Sequence, residues 1–237
     1  MRTLSDRALA VSIPGRLNKT QTRDGLAANV RTVTETAAPT AVRRMSTPES
    51  AELANLASIF EDLQFVLKCC EELVARLARP GRGDPTDDVV SHSLWTAALV
   101  AYVRCFSIAR KRGGLTEQDL KETGLQGEVL EWHKMLCRLR DHLTASSANP
   151  RERFVIGAAQ DAEGRANGIA IVSTPLPPVE ELAVRQTGRL AMELTTLVDR
   201  RMGERQRVVF ESARGMSARL LNSLPEVRLD PAEEIRS

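Results

Sequence analysis

The chain is poor in lysine, in aromatic rings and in the residue clusters that most enzymes need. Of its 237 residues, 3% are aromatic, and only five of the 33 basic residues are lysine (Lys19, Lys68, Lys111, Lys121, Lys134). The other basic residues are arginines, whose codons are GC-rich, so codon bias accounts for most of the excess. The formal net charge is only +2, which excludes a basic cloak for nucleic acid over the whole molecule.

Long apolar runs are missing too. The longest candidate, Leu94 to Ile108, is broken by Arg104 and falls short of the ~18 residues that a membrane-spanning helix needs. The N-terminus has no apolar signal core. The expectation is a cytoplasmic protein with no membrane partner. Cys69, Cys70, Cys105 and Cys137 contain no CxxC pair, and adjacent cysteines on a helix cannot both face one metal. His92, His133 and His142 lack HExxH spacing. No metal or other cofactor is expected. The segment Pro80 to Pro85 lacks the Lys-Ser/Thr ending of a phosphate-cradling loop, and no GxSxG elbow occurs.

What is present is a 42% apolar fraction, enough for a buried core. Residues 1–46 hold eight basic and three acidic residues without an apolar period, and read as a flexible basic tail. Their Arg- and Thr-rich, acid-poor composition also fits a transit peptide, and Met45 offers a later start. Residues 47–216 read as one helical bundle domain. Ser46, Thr47, Pro48 and Glu49 form a helix start with N-cap oxygens, a first-turn proline and an acid for the helix dipole. Leu53, Leu56, Phe60, Leu63, Leu67, Cys70, Val74 and Leu77 then recur at steps of three and four, one buried stripe. Glu61, Asp62, Glu71 and Glu72 read as its solvated face, because no ExxH partner accompanies them.

A second helix is expected from Asp87 or Asp88 to about Arg112, apolar on nearly all sides around Trp95 and Tyr102 and therefore central. Thr116 and Asp119 resemble a capping box. A third helix is expected from Glu128 to Leu143. Two β-branched runs around a 161–167 loop predict a β-hairpin at about 153–174. A final helix is expected over about 179–216, ~50 Å long at ~1.5 Å per residue and longer than a compact domain needs. Part of it is expected to pack on a partner chain, giving a homo-oligomer, dimer or larger. Residues 217–237 read as a flexible C-terminal tail. The fold class is mainly α: a helical bundle with a small β-hairpin insertion and a long C-terminal helix.

The chemistry-bearing stretch is the end of the third helix. His133, Arg140 and Thr144 share one face. Arg104, inside an apolar helix, requires a partner: a structural pairing with the Asp141 carboxylate or with helix-end carbonyls is expected, the alternative being an anion-binding cleft formed with Arg140. The run Leu139-Arg140-Asp141-His142-Leu143-Thr144-Ala145-Ser146-Ser147, with His133 upstream and Tyr102-Val103-Arg104-Cys105-Phe106 on the preceding helix, resembles the HEPN-like helical proteins. Arg140, Asp141, Ala145 and Ser147 match that family's bacterial pattern, as does His133. Ser146 stands where the family's motif His belongs, and Leu143 replaces a second His. The resemblance covers about residues 47–215.

In family members that cleave RNA, the resemblance implies that the Arg stabilises phosphate charge while the His moves protons near the 2′-OH. A serine hydroxyl does not titrate near neutral pH as imidazole does. The resemblance therefore implies a catalytically degenerate module that binds RNA or a protein partner, in phage defence or toxin–antitoxin regulation. Its candidate anion- or RNA-binding residues are Arg104, Arg140, Asp141, Ser146 and Asn149. Two alternatives stand beside it. One is a metal-independent ribonuclease using Arg140 with His142 or His133. The other is an oligomeric assembly protein, for example viral. Plainer readings are that Arg140-Asp141 is a surface charge pair and that His133 is a core histidine.

Overall fold

A computed structural model describes residues 19–21, 27–29, 41–78, 85–107, 114–145, 149–175 and 178–227. Among them the elements are β1 (Lys19–Gln21), β2 (Ala27–Asn29), α1 (Pro48–Leu77), α2 (Pro85–Arg104), α3 (Glu117–Glu122), α4 (Val129–Thr144), β3 (Glu152–Gln160), β4 (Ala166–Pro175), α5 (Glu181–Arg214) and α6 (Ala218–Ser223). The protein is mainly helical, with an antiparallel hairpin and a long C-terminal helix, as expected. No described helix is long and apolar enough to cross a membrane.

The chain divides into two compact units. The larger is Ser46–Arg214. Its first helix begins as its residues dictate. Thr47 is the N-cap, Pro48 occupies the first turn, and Thr47 and Ser50 exchange side-chain hydrogen bonds with each other's backbone N–H. α1 is the hub of the bundle and packs along both α5 and α2. That double contact explains why its buried surface is wider than one stripe. Leu56, Phe60, Leu63 and Cys70 are buried as the periodicity requires, but so are Ile59, Val66 and Leu73, a second row at seven-residue spacing.

α2 contacts α1 on one side and α4 on the other, burying Trp95, Ala98, Leu99, Tyr102 and Val103. It ends at Arg104 rather than near Arg112. Tight i to i−3 bonds from Cys105 and Phe106 to the carbonyls of Tyr102 and Val103 close its last turn. The Cys105 carbonyl instead accepts the Leu115 N–H at 2.9 Å, redirecting the chain. α3 follows, started by Asp119, which accepts from both the Thr116 N–H (2.6 Å) and hydroxyl (2.9 Å). Along α5, the absence of a side chain at Gly188 admits Cys70: a Cβ there would meet Cys70 Cβ at 3.4 Å.

β3 and β4 pair antiparallel, with Ile156 opposite Ile171 and Ala158 opposite Ile169. Asp161 organises the connecting loop, its Oδ1 accepting from the backbone N–H groups of Glu163 and Arg165. Gly164 completes the turn at φ +79°, a conformation that side-chain-bearing residues resist.

The second unit comprises Met1–Met45 and Gly215–Ser237. Within it β1 pairs with β2. The described residues of the segments read as tails include short local structure. Ser217 caps α6 by accepting the Leu220 N–H. Arg43 and Glu226 form an antiparallel bridge, with Arg44 N–H donating to the Pro225 carbonyl at 2.8 Å and Val227 N–H to the Val42 carbonyl at 2.9 Å.

Candidate functional site

α4 is amphipathic, and the residues it turns fully inward are His133 and Leu136. His133 is only 7% exposed. Its Nδ1 is hydrogen-bonded to the Tyr102 hydroxyl of α2 at 3.0 Å, and its Nε2 lies 3.7 Å from Cys137 Sγ one helical turn on. A neutral imidazole has one donor and one acceptor, so either tautomer satisfies both contacts. The Phe106 ring sits 4.4 Å from the imidazole and 5.2 Å from the Tyr102 ring, centroid to centroid.

The electrostatics follow from that burial. Loss of water pushes the His133 pKa below its ordinary value, against a smaller opposing effect of Glu117 on α3 and with a small assisting one from Lys134. Burial likewise pushes the Tyr102 phenol and the Cys137 thiol upward. All three groups therefore sit neutral near pH 7. A buried neutral imidazole between a phenol and a thiol is a satisfied polar core contact.

The stability consequence has a definite sign. Below the ordinary imidazole pKa of 6.5, the unfolded chain takes up a proton that folded His133 resists. Stability therefore falls as pH drops from about 7 to about 5. In urea unfolding across that range, the midpoint of His133→Gln should fall less than that of the wild type. Parallel midpoint curves would show that His133 does not carry the dependence.

The arginines go elsewhere. Arg104 is the last residue of α2 and half-exposed, because the helix stops there; it is not buried in a helix interior. Its guanidinium grips Asp62 of α1 in a two-point contact, Nε donating to Oδ2 at 2.9 Å and Nη2 to Oδ1. The partner is thus Asp62, not Asp141. Asp62 itself is a buried carboxylate, 12% exposed in its side chain, and not part of α1's solvated face. Arg140 lies with Nε 2.9 Å from Asp141 Oδ1, an ion pair between chain neighbours without an aligned hydrogen bond. His142 is exposed in the last turn of α4. Asn149 is exposed, its Oδ1 accepting the Arg151 N–H at 2.9 Å on the way into β3. Ser146 lies outside the described residues.

The fold therefore joins His133 to Tyr102, Phe106 and Cys137, Arg104 to α1, and Arg140 to its own neighbour. Sequence reasoning missed two partnerships. One is Asp62 with Arg104. The other is Asp119, buried beneath α5, which besides capping α3 pairs with Arg201, as does Glu122 at 3.1 Å. The only available signal for Asp62 was its seven-residue spacing to Cys69, which a flanking Glu61 obscures. Among the described residues, no group of three or more His, Cys, Asp or Glu side chains is placed to hold a metal ion.

The other conspicuous surface is the hairpin. Phe154, Val155, Ile156, Ile169, Ile171 and Val172 are each 51–73% exposed. Neither strand packs substantially on any helix. No protein-family model matches the chain, and no curated protein or solved structure matches it either.

Proposed function

We propose that the chain is a non-catalytic helical interaction module, HEPN-like in its α2–α4 motif, whose bundle presents the β3–β4 hairpin to a protein partner. The observation that carries this reading is the exposure of six large apolar side chains on one short hairpin. Contiguous apolar surface of that kind marks an interaction site in a folded protein. The buried, neutral state of His133 and the engagement of Arg104 by Asp62 support the non-catalytic half of the reading.

The test is incubation of the purified protein with single-stranded RNA, with and without chelator. No cleavage is expected from the wild type or from Arg140→Ala. Metal-independent cleavage that Arg140→Ala or His142→Ala abolishes would overturn the reading in favour of a ribonuclease. An RNA affinity that falls steeply with salt and drops on Arg140→Ala would shift the partner to nucleic acid.

A further inference from the structure

We infer that His133 is an acid-sensitive latch: on gaining a proton it releases α4 from α2, while the core formed by α1, α2 and α5 stays folded. α4 has the least to hold it. It packs on α2 and touches α3, but makes no substantial contact with α1 or α5, whereas α1 packs along both α2 and α5. Its fully buried residues are His133 and Leu136, backed by a half-buried row that includes Leu130, Trp132, Leu139 and Leu143. The hydrogen bond between Tyr102 and His133 therefore crosses the contact that keeps α4 in place.

The cluster suits a neutral ring and strands a charged one. In the tautomer where the phenol donates to Nδ1, the Nε2–H points at Cys137 Sγ and each hydrogen has an acceptor. An imidazolium donates from both nitrogens. The phenol oxygen must then accept from Nδ1–H, which leaves its own hydrogen in a fully buried site. Among the described residues the hydroxyl has no second hydrogen-bond partner.

The charge also lacks a buried counter-ion. Around the ring stand the Tyr102 phenol of α2 and the Cys105 thiol just past that helix, Cys137 and Lys134 of α4, and Glu117 of α3. Burial keeps the phenol and the Cys137 thiol neutral. Glu117, the carboxylate of the set, is exposed and screened by water, and Lys134, exposed as well, opposes it. Phe106 adds an apolar ring. Water is the better host for the proton, and α4 can reach it without parting α1 from α5.

The direction in pH follows. A ring freed into water titrates near ~6.5, and burial holds the folded ring lower. The latch is closed at neutral pH. Release is favoured as pH falls below ~6.5, until the folded ring itself takes the proton. α4 is amphipathic, so its release turns an apolar helix face toward solvent that neutral pH keeps covered.

Hydrogen–deuterium exchange of the full chain at about pH 7.5 and about pH 5, corrected for the intrinsic rate at each pH, reads α4 and the core separately. Peptides of α4 should lose protection several-fold at the lower pH, with a ceiling of about 30-fold for one proton and a free pKa of ~6.5. Peptides of α1 and α5 should change by less than about twofold. In His133→Gln, whose amide can bond Tyr102 but takes no proton, α4 protection should be equal at both pH values. In His142→Gln, altered at an exposed position of the same helix, the wild-type response should persist. Equal loss across α1, α4 and α5, or α4 protection that ignores pH in the wild type, overturns the latch. So does a response that survives His133→Gln. If that variant does not fold, proton NMR of the wild-type imidazoles decides. A folded His133 that titrates at or above ~6.5 overturns the latch, and one that titrates below it supports it.

Discussion

Leu63→Ala should lower the stability of the bundle by about 3 kcal/mol, within the ~2–5 kcal/mol usual for truncating a buried leucine. Leu63 is fully buried on α1, the helix that packs on both α5 and α2, so the vacated volume has walls from several elements and collapses poorly. For a chain of this size, 3 kcal/mol corresponds to about 6–12 °C in thermal midpoint. It also corresponds to a fall of about 1–2 M in urea midpoint. Ile169→Ala on the hairpin removes as large a side chain, yet from a site 73% exposed. In dilute monomer its effect should stay within about 0.5 kcal/mol. Equal losses from the two substitutions would mean that the hairpin is part of the core after all.

The second large effect is an asymmetry. Arg104→Ala should cost about 2 kcal/mol, because it strips a two-point, charge-assisted contact from a carboxylate that water reaches poorly. The figure is discounted for solvent screening, since the Arg104 side chain is 54% exposed. Asp62→Ala should cost only about 1 kcal/mol, because the half-exposed guanidinium left behind remains hydrated. The double substitution should therefore cost less than the sum, by about 1 kcal/mol, in a urea-unfolding cycle of the four proteins. Strict additivity would show that the two residues do not stabilise one another. A larger loss from Asp62→Ala than from Arg104→Ala would show that the carboxylate serves something other than the arginine.

These two contacts also mark the limit of what the residue order conveys. The Thr47–Pro48–Glu49 start of α1, the Asp119 box of α3, the Asp161–Gly164 loop of the hairpin and the break after Leu77 are all local chemistry, and each was legible. So was the helical period that places Leu56, Phe60 and Leu63 inside. The second buried row of Ile59, Val66 and Leu73 was not, because it depends on α1 having two neighbours instead of one. The early end of α2 was hidden for a similar reason. Nothing in residues 104–112 forbids a helix until the Cys105 carbonyl is claimed by Leu115. The resemblance drew attention to His133, Arg104 and Arg140 but did not say what they touch.

The sequence by itself determined a mainly helical bundle with one hairpin and a long last helix, because periodicity, caps and turn residues act over a few positions. Only the tertiary structure decided the fate of its chemical groups. The Tyr102 hydroxyl reaches His133 across 31 positions and Arg104 reaches Asp62 across 42. Whether an imidazole is a catalyst or a core contact, and whether an apolar strand is covered or bare, depends on what packs against it. That is set by helix-to-helix contacts between distant segments, which no local pattern encodes.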